Sequence, residues 1–213
     1  MTAATEIPET PQQISETPER NAAPERLELV RQFVNTLDVE EQADSLTGPS
    51  DLKAWLAQKR LLGRQDRVSA TDHRRALDFR EALREILAGH TDGHVAPGTV
   101  RRFDAVVSHI PMRLRVDDTG WVRVAAAGTG FDAAQAELLA RVYEAMEDGT
   151  WERLKVCAEG TCRSAFFDHS KNRSGHWCSM AVCGNRAKVS AFRQRHAADA
   201  ARSQGKASAR KKA

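Results

Sequence analysis

The sequence predicts a mainly α protein with one small β-hairpin, built as a helical N-terminal domain followed by a compact C-terminal module that folds around its cysteines. Three observations carry that prediction. Apolar residues recur at three- and four-residue spacing through most of residues 25–150. Within that stretch the period shortens to two between Met112 and Val124. All four cysteines, at 157, 162, 178 and 183, lie in the last third of the chain. A length of 213 residues, with 41% hydrophobic and 29% charged side chains, gives room for one sizeable domain plus a small module. That composition excludes a wholly disordered or fibrous chain.

Residues 1–24 are rich in Thr, Glu, Gln, Ala and Pro, with too few apolar side chains to offset the entropy of ordering them, and are expected to form a disordered tail. Leu27, Val30, Val34 and Leu37 then repeat at helical spacing, and Ser50 is expected to cap a second helix carrying Leu52, Trp55, Leu56 and Leu62 up to Gly63. A third helix has the strongest signal. Ser69 and Asp72 form a capping-box pattern, and Ala76, Phe79, Leu83, Ile86 and Leu87 lie on one face, with a stop expected at Gly89 and a loop holding His90, His94 and Pro97. Val100, Phe103, Val107 and Ile110 make another helical stripe, ended by Pro111.

Met112, Leu114 and Val116 alternate with Arg113 and Arg115, Asp117-Asp118-Thr119-Gly120 supplies turn chemistry, and Val122 and Val124 flank Arg123, which together read as a β-hairpin. A last helix of this domain is expected from Asp132, with Leu138, Leu139, Val142 and Met146 facing the core and Gly149 closing it.

The formal net charge of +3 conceals a polar division of the chain. Residues 1–150 hold 18 Lys+Arg against 25 Asp+Glu, net −7, while residues 151–213 hold 14 against 4, net +10. No run approaches the roughly 18 apolar residues of a membrane span. The opening MTAATEIPETPQQ has neither the basic nor the apolar segment of a secretion signal. These features predict a protein without a membrane partner, located in the cytoplasm, that is, the bacterial cytosol or nucleoid. In a reducing compartment clustered thiols mark a metal or redox site more often than disulfides.

The cysteines fall as C-x4-C, fifteen residues, C-x4-C. Two short chelating loops of this kind can deliver four thiolates at about 2.3 Å to one tetrahedral Zn²⁺, and binding then supplies folding free energy to a segment with little core of its own. One structural Zn²⁺ on Cys157, Cys162, Cys178 and Cys183 is the expectation. Two disulfides or buried free thiols are alternatives that the cytosolic reading disfavours, and a redox sensor that releases zinc on oxidation is a third. Four sulfur ligands leave no open position for catalysis. His169 and His176 are near enough in sequence to substitute as ligands but are expected to be loop residues.

Leu154 and Val156 before the first pair, with Ala165, Phe166 and Phe167 after it, read as a short hairpin. The second pair opens a helix expected to run to about Ala201, a treble-clef-like arrangement. On that helix Val189, Phe192 and His196 form a narrow stripe expected to pack on the finger, with Arg186 and Arg193 on one flank and Lys188 and Arg195 on the other. With Lys171 and Arg173 in the preceding loop, and Arg202, Lys206, Arg210, Lys211 and Lys212 in a basic tail over 202–213, a phosphate-binding surface is expected. A merely solvated, solubilising face is the plain alternative.

The stretch from Cys157 to Arg195, CAEGTCRSAFFDHSKNRSGHWCSMAVCGNRAKVSAFRQR, resembles the CGNR zinc-finger family. Cys183-Gly184-Asn185-Arg186 is its naming motif, and Phe166, Phe167, Asp168, Asn172, Arg173, Trp177, Cys178, Ser179 and Met180 match the rest of its pattern. Ser174-Gly175-His176 departs from it where basic residues are common. Residues of about 26–150 are similar to the helical stress-induced transcription regulator domain that usually precedes this finger, through Phe33-Val34-Asn35-Thr36-Leu37 and Asp51-Leu52-Lys53-Ala54-Trp55-Leu56. The resemblance implies zinc on the four cysteines and suggests DNA binding.

Gly128-Thr129-Gly130 lacks the third glycine and the strand context of a dinucleotide site. No Walker loop, HExxH or GxSxG is present, and no enzyme is expected. Two readings follow. In the first, the chain is a DNA-binding transcription regulator. Its expected organisation is a regulatory domain over 25–150, a finger with its basic helix over 151–201, and DNA contacts by Arg173, Asn185, Arg186, Lys188, Arg193 and Arg195. The helical domain would respond to a small-molecule effector or form a homodimer. In the second, the finger is a zinc-stabilised protein-interaction module, with the opposite charges of the two parts allowing self-masking.

Overall fold

The computed structural model describes residues 21–196. The expected tails, residues 1–20 of the first and all of 202–213, lie outside the described residues, as does the helix beyond 196. The order of elements is α1 (Glu25–Val34), β1 (Leu37–Asp38), β2 (Ala43–Asp44), α2 (Pro49–Gln58), α3 (Ala70–Asp92), α4 (Pro97–Val107), β3 (Met112–Val116), β4 (Val122–Ala126), α5 (Gly130–Glu147), a 3-10 turn (Trp151–Arg153), β5 (Leu154–Val156), β6 (Ala165–Phe167) and a π turn (Met180–Gly184). A final helix, α6, covers 185–196. The strands make three separate antiparallel pairs, β1 with β2, β3 with β4 and β5 with β6. The fold is mainly α, as expected.

The 23-residue α3, about 34 Å long at 1.5 Å per residue, is the axis of the molecule. Ser69 caps it as the sequence predicts, its hydroxyl accepting from the Asp72 amide while the Asp72 carboxylate accepts from the Ser69 amide. It does not stop at Gly89 but runs to Asp92, with left-handed Gly93 as its cap. Gly89 serves close approach instead, because a Cβ there would lie 2.7 Å from the Val95 side chain and 2.9 Å from the His94 carbonyl. His90 is therefore helical rather than in a loop.

Phe33 packs with tilted rings against Trp55 at 5.5 Å and Phe79 at 6.0 Å between ring centroids, joining α1, α2 and α3 in one core. Smaller departures are local. α2 starts after Gly48 with Pro49 in its first turn, so Pro49 and not Ser50 sets its start. Leu37 leaves α1 for β1.

Two buried arginines stiffen α3. Arg80 forms a two-pronged pair with Asp44, both contacts 2.8 Å, and donates to Thr36 Oγ1. Arg84 donates to the carbonyls of Val34 at 2.6 Å and Arg163 at 2.9 Å. A guanidinium offers five donors, so it can satisfy several orphan carbonyls at one point.

The hairpin β5–β6 is entirely buried, and Leu154, Val156, Ala165 and Phe167 belong to the same apolar core as α1, α3 and α5. Hydrogen bonds fix this union. The Asn35 side chain donates to the Ala165 carbonyl at 2.9 Å and accepts from its amide at 2.7 Å. His90 Nδ1 donates to Leu154 O, and Thr91 Oγ1 donates to Val156 O at 2.6 Å. Residues 21–24, expected as part of the tail, are also held, since His169 Nε2 meets the Ala22 carbonyl at 2.8 Å and the Ala23 amide donates to Glu28.

Candidate metal centre and the basic helix

The β5–β6 hairpin presents Cys157 and Cys162 at its turn end, in the loop that joins the two strands. Its turn is closed by the Cys157 amide on Ser164 O at 2.9 Å and the Cys162 amide on Glu159 O at 3.0 Å. The second pair spans the π turn, with Cys178 two residues before it and Cys183 within it. Ser179 Oγ accepts from the Val182 amide, and the Gly184 amide donates to Ser179 O, turning the chain so that Cys178 and Cys183 face the first pair.

All four sulfurs lie within 4.8 Å of one another, with Cys162 to Cys178 at 3.6 Å and Cys178 to Cys183 at 3.8 Å. Disulfides need about 2.05 Å, so these are free thiols. Zinc–sulfur bonds of about 2.3 Å at tetrahedral angles give edges near 3.8 Å, which these two separations match.

The donor chemistry agrees. Contacts from Cys157 and Cys178 hold the Cys162 thiol far below the ordinary range, while the Cys157 and Cys162 sulfurs push Cys178 far up. Burial, followed by the charges of Cys157 and Cys162, pushes Cys183 up to about 12. Four sulfurs this close cannot all be thiolates unless a cation joins them. The expected histidines stay outside the cluster. His169 is bonded to Ala22 O, and the exposed His176 lies 5.8 Å from the Trp177 ring.

Between the two pairs, residues 168–175 are shaped by a buried ion pair that sequence reading did not single out. Lys155 points away from the helical core, and its Nζ donates to Asp168 Oδ2 at 2.8 Å and to the carbonyls of Arg173 at 2.5 Å and Gly175 at 3.1 Å. Asp168 also accepts from the Ser170 and Gly175 amides. Burial works against its charge, but the Lys155 and Ser170 contacts outweigh it and hold the carboxyl well below the usual range. Gly175 is needed because a Cβ would lie 2.7 Å from Asp168 Oδ1. Asp168 was legible as part of the family pattern. Lys155, between two apolar residues, gave no sign of its face.

The six residues expected at the DNA surface divide into three groups. Asn185 is exposed, but its amide donates to Ala181 O at 2.8 Å. Arg186 pairs with Glu40 in the β1–β2 turn at 2.5 Å, and Arg173 lies 3.6 Å from Glu152. Lys188, Arg193 and Arg195 are exposed and form no ion pair among the described residues.

The stripe between the flanks runs opposite to expectation. Val189 is 48% and Phe192 55% exposed, with His196 4.2 Å from the Phe192 ring, whereas the half-buried side of α6 carries Ala187 and Ala191. Periodicity locates a face without saying which way it points. Here the small alanines take the inward side.

The molecule is therefore a helical domain with a four-cysteine, zinc-stabilised finger built onto its core. Residues 27–149 match the ABATE family, described as "Putative stress-induced transcription regulator", and residues 153–196 match the CGNR zinc finger. The chain belongs to the ABATE family and carries a CGNR finger holding one structural zinc. Neither family is one of enzymes. Among curated proteins none matches the chain. Among the described residues no helix is long and apolar enough to cross a membrane.

Proposed function

We propose that the protein is a transcription regulator that binds DNA through α6 and the loop before it, acting in the cytoplasm beside the nucleoid. The observation that carries this reading is the exposure of Lys188, Arg193 and Arg195 on α6, three cations that form no ion pair among the described residues. In this reading Lys188, Arg193 and Arg195 grip phosphates and Arg173 adds a contact from the loop. Asn185 and Arg186, in the first turn, come nearest the base edges. The zinc ligands Cys157, Cys162, Cys178 and Cys183 act only by fixing the helix. The Arg186–Glu40 pair gives the 25–150 domain a direct hold on the finger, which an effector or a second copy of the chain would act through.

The test uses the full chain, zinc-loaded, with random-sequence duplex DNA across a salt series. If about four cations each neutralise a phosphate, the logarithmic slope is about −3 to −4. Replacing Lys188, Arg193 and Arg195 with Ala flattens it while zinc content and melting temperature hold. The exposed Val189 and Phe192 favour the second reading, a protein-interaction module. Absence of DNA binding at low salt, with self-association or partner binding abolished by Phe192→Asp, establishes that reading instead.

A further inference from the structure

The β3–β4 hairpin stands out from an otherwise acidic domain. Its base is anchored, where Met112 and Ala126 pack on the core and the half-buried Val124–Ala126 end of β4 lies against α5. Beyond that, Leu114 is 74%, Val116 63%, Val122 61% and Trp121 70% exposed. Strand alternation puts Arg113, Arg115 and Arg123 on one face together with Trp121. Arg115 lies directly opposite Arg123, a like-charge pairing that weakens a ribbon. Asp117 relieves Arg123 at 3.0 Å while also accepting from Thr119 and the Trp121 amide, so its carboxylate is committed to the turn. Arg113 and Arg115 have no ion pair or side-chain hydrogen bond among the described residues.

We propose that this ribbon is a second DNA contact, with Arg113 and Arg115 on phosphates or groove edges and Trp121 against the duplex at the tip. The inference rests on the DNA-binding reading of the chain but concerns a surface outside the finger. A polyanion is the partner that repays opposed arginines on a free face, and a two-stranded ribbon of five-residue strands, about 17 Å long, is one of the shapes a major groove about 12 Å wide admits.

The experiment measures labelled random-sequence duplex DNA binding to the full zinc-loaded chain between about 50 and 200 mM salt. It compares wild type, Arg113→Ala/Arg115→Ala and Lys188→Ala/Arg195→Ala. The ribbon variant is expected to weaken binding and flatten the logarithmic slope by about 1.8, from two lost contacts. Unchanged affinity and slope in the ribbon variant, with loss in the finger variant, overturns the ribbon and leaves the finger reading standing. The converse supports the ribbon and overturns the finger. No binding by wild type overturns both. A change in oligomeric mass without a change in DNA affinity also overturns the proposal, because the ribbon then serves a second copy. If the double variant loses zinc or melts early, Trp121→Phe decides: DNA-induced tryptophan quenching smaller than that of wild type supports the ribbon, and quenching of the full wild-type amplitude overturns it.

Discussion

The two halves of the finger have opposite surroundings. The β5–β6 half is buried on both faces and hydrogen-bonded to Asn35, His90 and Thr91 of the helical domain, while the Cys178–α6 half is exposed along most of its length and reaches that domain through the exposed Arg186–Glu40 pair. The comparison teaches that the metal is not what folds the whole finger. The first half is held by the helical core, and zinc ties the second half to the first.

The largest effect that would break this comparison is loss of the metal. Cys183→Ser, or a chelator, is expected to abolish stoichiometric zinc and remove amide protection from 178–196, forfeiting a binding energy on the order of 10 kcal/mol. Protection at Leu154–Val156 and Ala165–Phe167 should survive. Hydrogen exchange on the zinc-free protein measures this, and simultaneous loss in both halves would show one metal-dependent unit.

Next comes Asp168→Ala, which leaves the Lys155 ammonium buried and is expected to cost about 3–5 kcal/mol in denaturant unfolding. Asn35→Ala removes both bonds to Ala165 and should cost about 1–3 kcal/mol, loosening the finger from α1.

Acid sharpens the comparison further. Burial lowers the His90 pKa in the folded state, although its bond to Leu154 O pulls the other way. The unfolded chain then binds more protons, so this contribution is full above the unfolded value of about 6.5 and declines as pH falls below it. Stability of zinc-loaded wild type should drop more between about pH 7 and 5 than that of His90→Gln. Smallest of all, Lys188→Ala and Arg195→Ala should leave the melting temperature and zinc content where they are, since both side chains are exposed on α6.

Much of this was legible in the sequence. Ser69 and Asp72 marked the start of α3, the alternation around Arg113 and Arg123 marked the ribbon, and the cysteine spacing with Cys183-Gly184-Asn185-Arg186 marked the metal centre. Gly89 misled because its reason is Val95, a contact made across a turn. Phe192 misled because an apolar stripe says nothing about whether the opposite face is smaller and fits better. The union of Asn35 with Ala165 spans 130 positions, and no local pattern encodes it. The Glu40 partner of Arg186 sits in a turn between strands of two residues each, too short to carry a period.

Lys155 brings its own cation to the finger. Its ammonium gathers three oxygens of the 168–175 loop much as a small bound ion would, but it is tethered by covalent bonds and present from the moment the chain folds. The stretch between the second and third ligands is thus rehearsed before any zinc arrives. Less chain entropy remains to be surrendered at capture, and the protein meets its metal with two sulfurs in place and a third led toward them.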